Sequence, residues 1–410
     1  MRAVVITNCY PDDNRGSAAL NDAACTIIKQ AFPGASISIV SAARGGALRS
    51  AFRHSLASHP EVEVLAPLLR TSRSGGLAEA GAVGLGLLWQ LAPHWLGWGR
   101  SIAAIRAADL VVSRGGYLLA DPGALRWWFN PYLIMLPCRL AHRLHKTTWT
   151  MPTSVIPPRS AVGRVALRHL VRSFDRVALR DPKARAAAVA LGARDVRLYH
   201  DTVFVLPAPS APQIDETVAR HGLAGRRFGV VTTRGSGSSF TDVQKLALQA
   251  AVMRDLLQAG ELDCVLAVAQ TVGPDLDERP SALAFIELMA GGEARLLEGD
   301  FSHGDLMALY AAADIVVTQH LHSFIFATMV GTPALALSVD GYKVEGLVSG
   351  LGLPAWTVVD AAADASAVIE RARRLRATRH VVRDDLLRAS QVARVSVTDF
   401  IHDLAALDRA

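Results

Sequence analysis

The stretch 314–347, DIVVTQHLHSFIFATMVGTPALALSVDGYKVEGL, constrains the fold more than any other part of the chain. An apolar run at 315–317 reads as a buried parallel strand and stops at Gln319-His320-Leu321-His322-Ser323. A small, apolar helical run follows, then Gly331-Thr332-Pro333, then a second apolar run at 334–337. Strand, helix and strand in that order make a βαβ unit. Its titratable groups fall at the carboxyl end of the first strand, where open α/β sheets bind ligands. Two imidazoles there can move protons near neutral pH. A helix start can hold an anion through its free N–H groups, and Lys343 beyond the second strand adds a cation. The pattern suits a phosphorylated or carboxylated small molecule.

The same alternation runs along the chain. Strand-like runs occur at 3–7, 37–40, 109–112, 147–151 and 176–179, with a last strand expected over 196–204 and His200-Asp201 near its middle. Pro207 to Pro212, PAPSAP, reads as a linker. A second series starts at 228–231 and continues through a helix at 241–258 and a strand at 264–268 to about 376. The expectation is α/β, two Rossmann-like domains facing a cleft: residues 1–207, a linker at 208–225, residues 226–378, and a helical segment at 379–410.

Composition narrows the classes. In 410 residues, 51% are hydrophobic and 20% charged, so the chain is globular. The net charge is +6, but arginine is spread along helices, as in RARRLRATRH at 371–380, rather than clustered among aromatics; no nucleic-acid partner is expected. Cys9, Cys25, Cys138 and Cys264 form no Cys-x-x-Cys pair, and no histidine spacing signals a metal. Residues 75–98, GGLAEAGAVGLGLLWQLAPHWLGW, are long enough to span a bilayer, but Glu79, Gln90, Pro93 and His94 interrupt them. A buried or membrane-surface helix with Trp89, Trp95 and Trp98 as interfacial rings is expected, in a cytoplasmic protein.

Further loops stand at strand ends. Asn14-Arg15-Gly16-Ser17 joins the first strand to the first helix, as a ligand loop, an Asx-turn cap, or both. Arg114-Gly115-Gly116 follows a buried strand, and its glycines would let backbone approach a ligand. Arg180 closes the strand at 176–179 and pairs in prospect with Asp201; a guanidinium there suits a carboxylate or phosphate. Arg234 opens a Gly/Ser loop at 233–239, an anion nest without the lysine of a P-loop. No Gly-x-Gly-x-x-Gly fingerprint appears, so no dinucleotide cofactor is expected.

Several of these segments together resemble the polysaccharide pyruvyltransferase family. His320-Leu321-His322-Ser323 stands at the family's Arg-Leu-His-Ser segment, with Gly331-Thr332-Pro333 and Tyr342-Lys343 beyond it. Asn14-Arg15-Gly16-Ser17 resembles Asn-x-Gly-Asp, and Arg114-Gly115-Gly116 a triple-glycine turn. Arg180, Gly192, Asp201 and Phe204 fit an Arg-acid…Leu-Gly…Asp-x-x-Phe segment, with Ala184 in place of a serine. The resemblance implies a GT-B-like fold and transfer of pyruvate from phosphoenolpyruvate onto a sugar or lipid-linked glycan as a cyclic ketal; the missing motifs give the expectation of no cofactor and no metal. It implies His322, His320 and Asp201 as catalytic. Arg180, Lys343, Ser323, Asn14, Gly16, Arg114, Gly115, Gly116 and Arg234 would bind substrate. His320 stands where the family has arginine, so either phosphoenolpyruvate binding is retuned or another donor or acceptor is used. Two alternatives remain: a GT-B glycosyltransferase using a nucleotide sugar, and a non-catalytic binding protein.

Overall fold

The computed structural model describes residues 1–42, 49–69, 77–92, 99–119, 129–158, 160–235, 240–274, 276–291, 293–338, 343–354, 357–360 and 363–409. They fall into two compact units: residues 1–12, 17–206 and 394–410, and residues 13–16 with 207–393.

In chain order the first unit holds β1 (Ala3–Cys9), α1 (Arg15–Ala31), β2 (Ser36–Ser41), β3 (Glu63–Leu65), α2 (Leu77–Leu91), α3 (Arg100–Ala107), β4 (Leu110–Ser113) and β5 (Gly116–Leu119). It continues with α4 (Phe129–Arg143), β6 (Thr147–Thr150), β7 (Thr153–Val155), α5 (Ala161–Val171), β8 (Val177–Leu179), α6 (Pro182–Ala190) and β9 (Val196–Leu198). One sheet runs β3-β2-β1-β4-β6 and a second β5-β7-β8-β9, all pairs parallel. Parallel strands are covered on both faces, which is why Val4, Ile6, Val111 and Val112 are all buried.

The second unit holds α7 (Ala211–Arg220), β10 (Phe228–Thr233), α8 (Phe240–Gln258), β11 (Cys264–Ala269), α9 (Arg279–Leu288), β12 (Ala294–Leu296) and α10 (His303–Ala312). Then come β13 (Ile315–Thr318), α11 (Leu321–Val330), β14 (Ala334–Ser338), α12 (Lys343–Gly350), β15 (Val358–Asp360), α13 (Ala365–Ala377) and α14 (Arg379–Ala405). Its six-stranded parallel sheet has the order β12-β11-β10-β13-β14-β15. That is the doubly wound order, with the direction of winding reversing at β10 and β13. The molecule is thus α/β with two Rossmann-like domains.

Four segments differ from the sequence expectation. The proline-rich stretch read as a linker contains α7, because Pro212 suits a first helical turn and the Ser210 N–H donates to Gln213 Oε1 at 2.9 Å. The strand expected over 196–204 is only β9; Asp201 turns the chain, its carboxylate accepting the Val203 N–H at 3.0 Å at the head of a 3-10 turn, Thr202–Val205. Residues 13–16 join the second unit through Arg15 N–H to Gln270 O at 3.1 Å and Val272 N–H to Asp13 O at 2.8 Å. The helical segment at 379–410 is not separate: α14 gives its residues up to Ala393 to the second unit and those from Arg394 to the first.

Within 75–98, α2 covers Leu77–Leu91, with Trp89 and Gln90 buried. Pro93, His94, Trp95 and Trp98 lie outside the described residues. Among the described residues, no helix is long and apolar enough to cross a membrane.

Candidate functional site

The switch point of the second unit gathers most of the chemistry. β10 ends at Thr233 and β13 at Thr318, on neighbouring strands with Thr318 in register with Thr232. His320, one residue past Gln319, is the N-cap of α11 and places its ring back over the sheet edge. Its Nε2 lies 2.9 Å from the Thr233 carbonyl and 3.1 Å from Glu278 Oε2. The Thr233 carbonyl can only accept, so Nε2 carries the proton. In the neutral ring, Nδ1 is then the basic nitrogen. Glu278 is fully buried at the head of α9, where Oε2 also accepts the Thr271 N–H at 2.9 Å. The carboxylate therefore fixes the imidazole's tautomer and orientation, as histidine partners commonly do.

Three buried oxygens in this region have no hydrogen-bond partner among the described residues: Glu278 Oε1, Gln319 Oε1 and Thr233 Oγ1. Buried polar atoms are nearly always satisfied, so such a group of exceptions at one sheet edge calls for an explanation. Water or a bound polar ligand would supply one.

His322 is the second residue of α11, so it belongs to the turn whose N–H groups are unpaired within the helix. Its ring packs directly on Gly16: a Cβ at Gly16 would lie 2.5 Å from His322 Nδ1 and 2.9 Å from its Cβ. Only glycine permits that approach. Asn14 is tied to the same unit, its Nδ2 donating to Thr271 Oγ1 at 2.6 Å. Arg15 is buried in the loop, its guanidinium 4.9 Å from the centre of the Phe301 ring and 3.9 Å from Asp300. Ser323 is buried, with its hydroxyl accepting from Tyr310 at 3.0 Å and donating to Gln270 Oε1. Burial pushes the Tyr310 phenol upward, so it stays a neutral donor. Ser323 thus anchors the first turn of α11 from below. Arg234 is half-buried at the end of β10, and its carbonyl accepts from Ser281 at 3.4 Å. Residues 236–239 of its loop lie outside the described residues, as does Tyr342. Lys343 begins α12.

The other expected residues belong to the first unit. Arg180, at the end of β8, donates from Nη1 to Asp201 Oδ2 at 2.5 Å and from Nε to Ser154 Oγ at 2.8 Å. Ser154 in turn donates to Asp181 Oδ2 at 2.9 Å, and Asp181 caps α6. Arg180 is 4% exposed and Asp201 0%, so this is a buried ion pair rather than a surface one. Arg114 is buried too, donating to Ser17 O at 3.1 Å and Asn21 Oδ1 at 3.0 Å, over the Tyr10 ring. Burial lowers its pKa, and Arg180 lowers it further, while Asp201 opposes the shift. Gly115 has φ 86°, and a Cβ there would lie 2.7 Å from the Pro152 carbonyl; Gly116 follows with φ 97°.

Glu278, Gln270 and Tyr310 were not foreseen from the sequence. Glu278 stands in 275–278, where three of four residues are acidic. Burial against an imidazole 42 residues downstream singles it out, and spacing alone cannot show that.

A family model described as polysaccharide pyruvyl transferase matches residues 14–341. No curated protein matches the chain. Among solved structures, Anabaena Alr3699/HepE in complex with UDP-glucose superposes with a TM-score of 0.62 at 13% identity, covering 100% of both chains. The UDP-GlcNAc 2-epimerase from Neisseria meningitidis, bound to UDP-GlcNAc, gives a TM-score of 0.61 at 10% identity over 98% of this chain and 99% of that one. A glycosyltransferase from Rickettsia africae ESF-5 gives 0.56 at 10% identity over 100% and 97%. At such identities the likeness concerns the fold, which is GT-B-like.

Proposed function

The chain belongs to the polysaccharide pyruvyl transferase family, a transferase family, and from that premise we propose that it moves pyruvate from phosphoenolpyruvate onto two hydroxyls of a sugar. The observation that carries this reading is the pair of imidazoles, His320 and His322, at the switch point of the second sheet, inside the matched stretch.

Phosphoenolpyruvate is a polarised alkene bearing a carboxylate and a phosphate. A proton added at its methylene carbon makes the methyl group and leaves C2 as an oxocarbenium-like centre. One sugar hydroxyl adds there, phosphate departs with the C–O bond electrons, and a second hydroxyl closes the cyclic ketal. Of the two hydroxyl protons, one balances the proton spent on the methyl group and the other leaves on phosphate. The step needs a group that gives a proton to carbon and one that takes protons from the sugar. Imidazole serves both directions near pH 7. In this reading His322 is the acid–base group, and His320 holds an anion or accepts a proton through Nδ1. The N–H groups at the start of α11 favour a phosphate or carboxylate. Arg234 and Lys343 are assigned to the same donor, with Asn14 and Gly16 bordering it. Arg114, Gly115 and Gly116 are assigned to the acceptor, and the buried Arg180–Asp201 pair to holding the shape of its side rather than to catalysis.

The test is incubation with phosphoenolpyruvate and candidate glycans, following free phosphate and a new ketal methyl resonance by NMR. Both should appear together. The solved relatives in complex with UDP-sugars motivate a parallel incubation with nucleotide sugars. Nucleotide release without phosphate release replaces this reading by glycosyl transfer. Saturable donor binding with neither product leaves a binding protein.

A further inference from the structure

The charge of this chain is not evenly distributed. Residues 77–174 hold eleven Arg and Lys against three Asp and Glu, a net of +8, which exceeds the +6 of the whole chain. The same stretch carries the largest apolar exposure among the described residues. On α2, Leu85, Leu87, Leu88 and Leu91 are 41%, 48%, 53% and 79% exposed. The opposite face of α2 is fixed: Trp89 is buried, and Gln90 Oε1 accepts from Arg139 Nε of α4 at 2.8 Å. The leucines therefore point outward by packing, not by fraying.

α5 continues this character. Val165 is 70% exposed; Arg164 and Arg168 are exposed on the same helix, which contains no acid, and Arg172 is exposed at its C-cap. Between α4 and α5 opens a cavity of about 540 Å³, walled by Tyr132, Ala161, Val165, Ala166 and Leu170, with Arg139 and His169 beside them. Four exposed leucines on one short helix, beside a unit that also exposes Val165 and this cavity, are more apolar surface than chance exposure accounts for.

We propose that the α2–α5 face of the first unit docks on an anionic lipid surface, its leucines entering the acyl boundary and its arginines meeting headgroup phosphates. An apolar helix of 15 residues is too short to span a bilayer but suits the interface. The exposed arginines of α5, with no acid on that helix, are complementary to acidic lipids. A second copy of the chain is the poorer occupant, because it would bring the same excess of positive charge to the contact.

The experiment is flotation of the full chain with vesicles of phosphatidylcholine, with and without phosphatidylglycerol, at low and high salt. The protein should float with the mixed vesicles and lose binding as salt rises. Arg164→Gln with Arg168→Gln should weaken binding to mixed vesicles by roughly fivefold per charge removed. Leu88→Gln with Leu91→Gln should weaken it at least about tenfold while leaving the thermal midpoint unchanged. The proposal is overturned if flotation is the same with and without the acidic lipid. It is equally overturned if the leucine pair keeps vesicle binding but changes the sedimentation mass, which makes the face a self-association surface.

Discussion

Arg180–Asp201 in the first unit and His320–Glu278 in the second are both buried acid–base couples at strand ends, yet they are completed to different degrees. Asp201 spends Oδ2 on Arg180 and Oδ1 on the Val203 N–H, and Arg180 also holds Ser154. Glu278 spends only Oε2, and its Oε1 has no partner among the described residues. A closed couple holds the chain in shape, and removing either half strands a charge. An open couple keeps a group in reserve for something that arrives. The expectation is that disruption is read as stability in the first unit and as turnover in the second.

The largest effect should come from His322→Ala, which is expected to lower turnover about 10²–10⁴-fold with little change in the denaturation midpoint. Equal turnover in the variant breaks the assignment of the open side. Asp201→Ala should cost about 3–5 kcal/mol of stability, since it leaves Arg180 buried and uncompensated; denaturant titration measures it. A variant as stable as the parent means that the closed couple is not structural.

Glu278→Gln sharpens the contrast. The amide can turn its NH₂ toward Nε2 and so favour the other tautomer. Turnover should fall on the order of 10²-fold, the scale for a misplaced catalytic group, and the pH profile should change shape. A stability loss with an unchanged profile would place Glu278 with Asp201 instead. Gly16→Ala should cost about 1–3 kcal/mol by overpacking against His322 and should lower turnover in the same variant. Thermal denaturation and kcat, measured side by side, decide it.

The smallest effect concerns His200, beside Asp201. Burial holds its pKa below the usual 6.5, against the pull of Asp201. The unfolded chain therefore binds this proton more readily. Its contribution to stability is full above about pH 6.5 and is lost as pH falls toward the folded value. His200→Gln should flatten stability over that window without altering the pH profile of turnover.

The β13–α11–β14 unit was legible because two apolar runs, a helix stop at Gly331 and a histidine cluster lie within one short stretch. The place of His320 and His322 just past a strand end needed only the order of the apolar runs. Glu278 was not legible, because nothing local distinguishes it from Asp277, which pairs with Arg279 in the open. The loop at 13–16 misled by continuity: it follows β1 in sequence, while its backbone bonds go to Gln270 and Val272. Asp201 misled by composition, since an apolar run on both sides looked like one strand while its carboxylate was turning the chain.

The division of α14 sets an order of completion during synthesis. The first unit begins the chain but needs Phe400, packed 5.0 Å from the Tyr199 ring, and Asp403, which bonds Tyr199 and Arg176. Those residues leave the ribosome after the whole of the second unit, whose early contribution, 13–16, has long been available. The second domain can therefore close first, while the first waits with its Trp149 edge uncovered. A chain ending at Ala393 and free of the ribosome should be protease-resistant at 13–16 and from about 207 onward and sensitive between them, the reverse of the usual N-to-C sequence of folding.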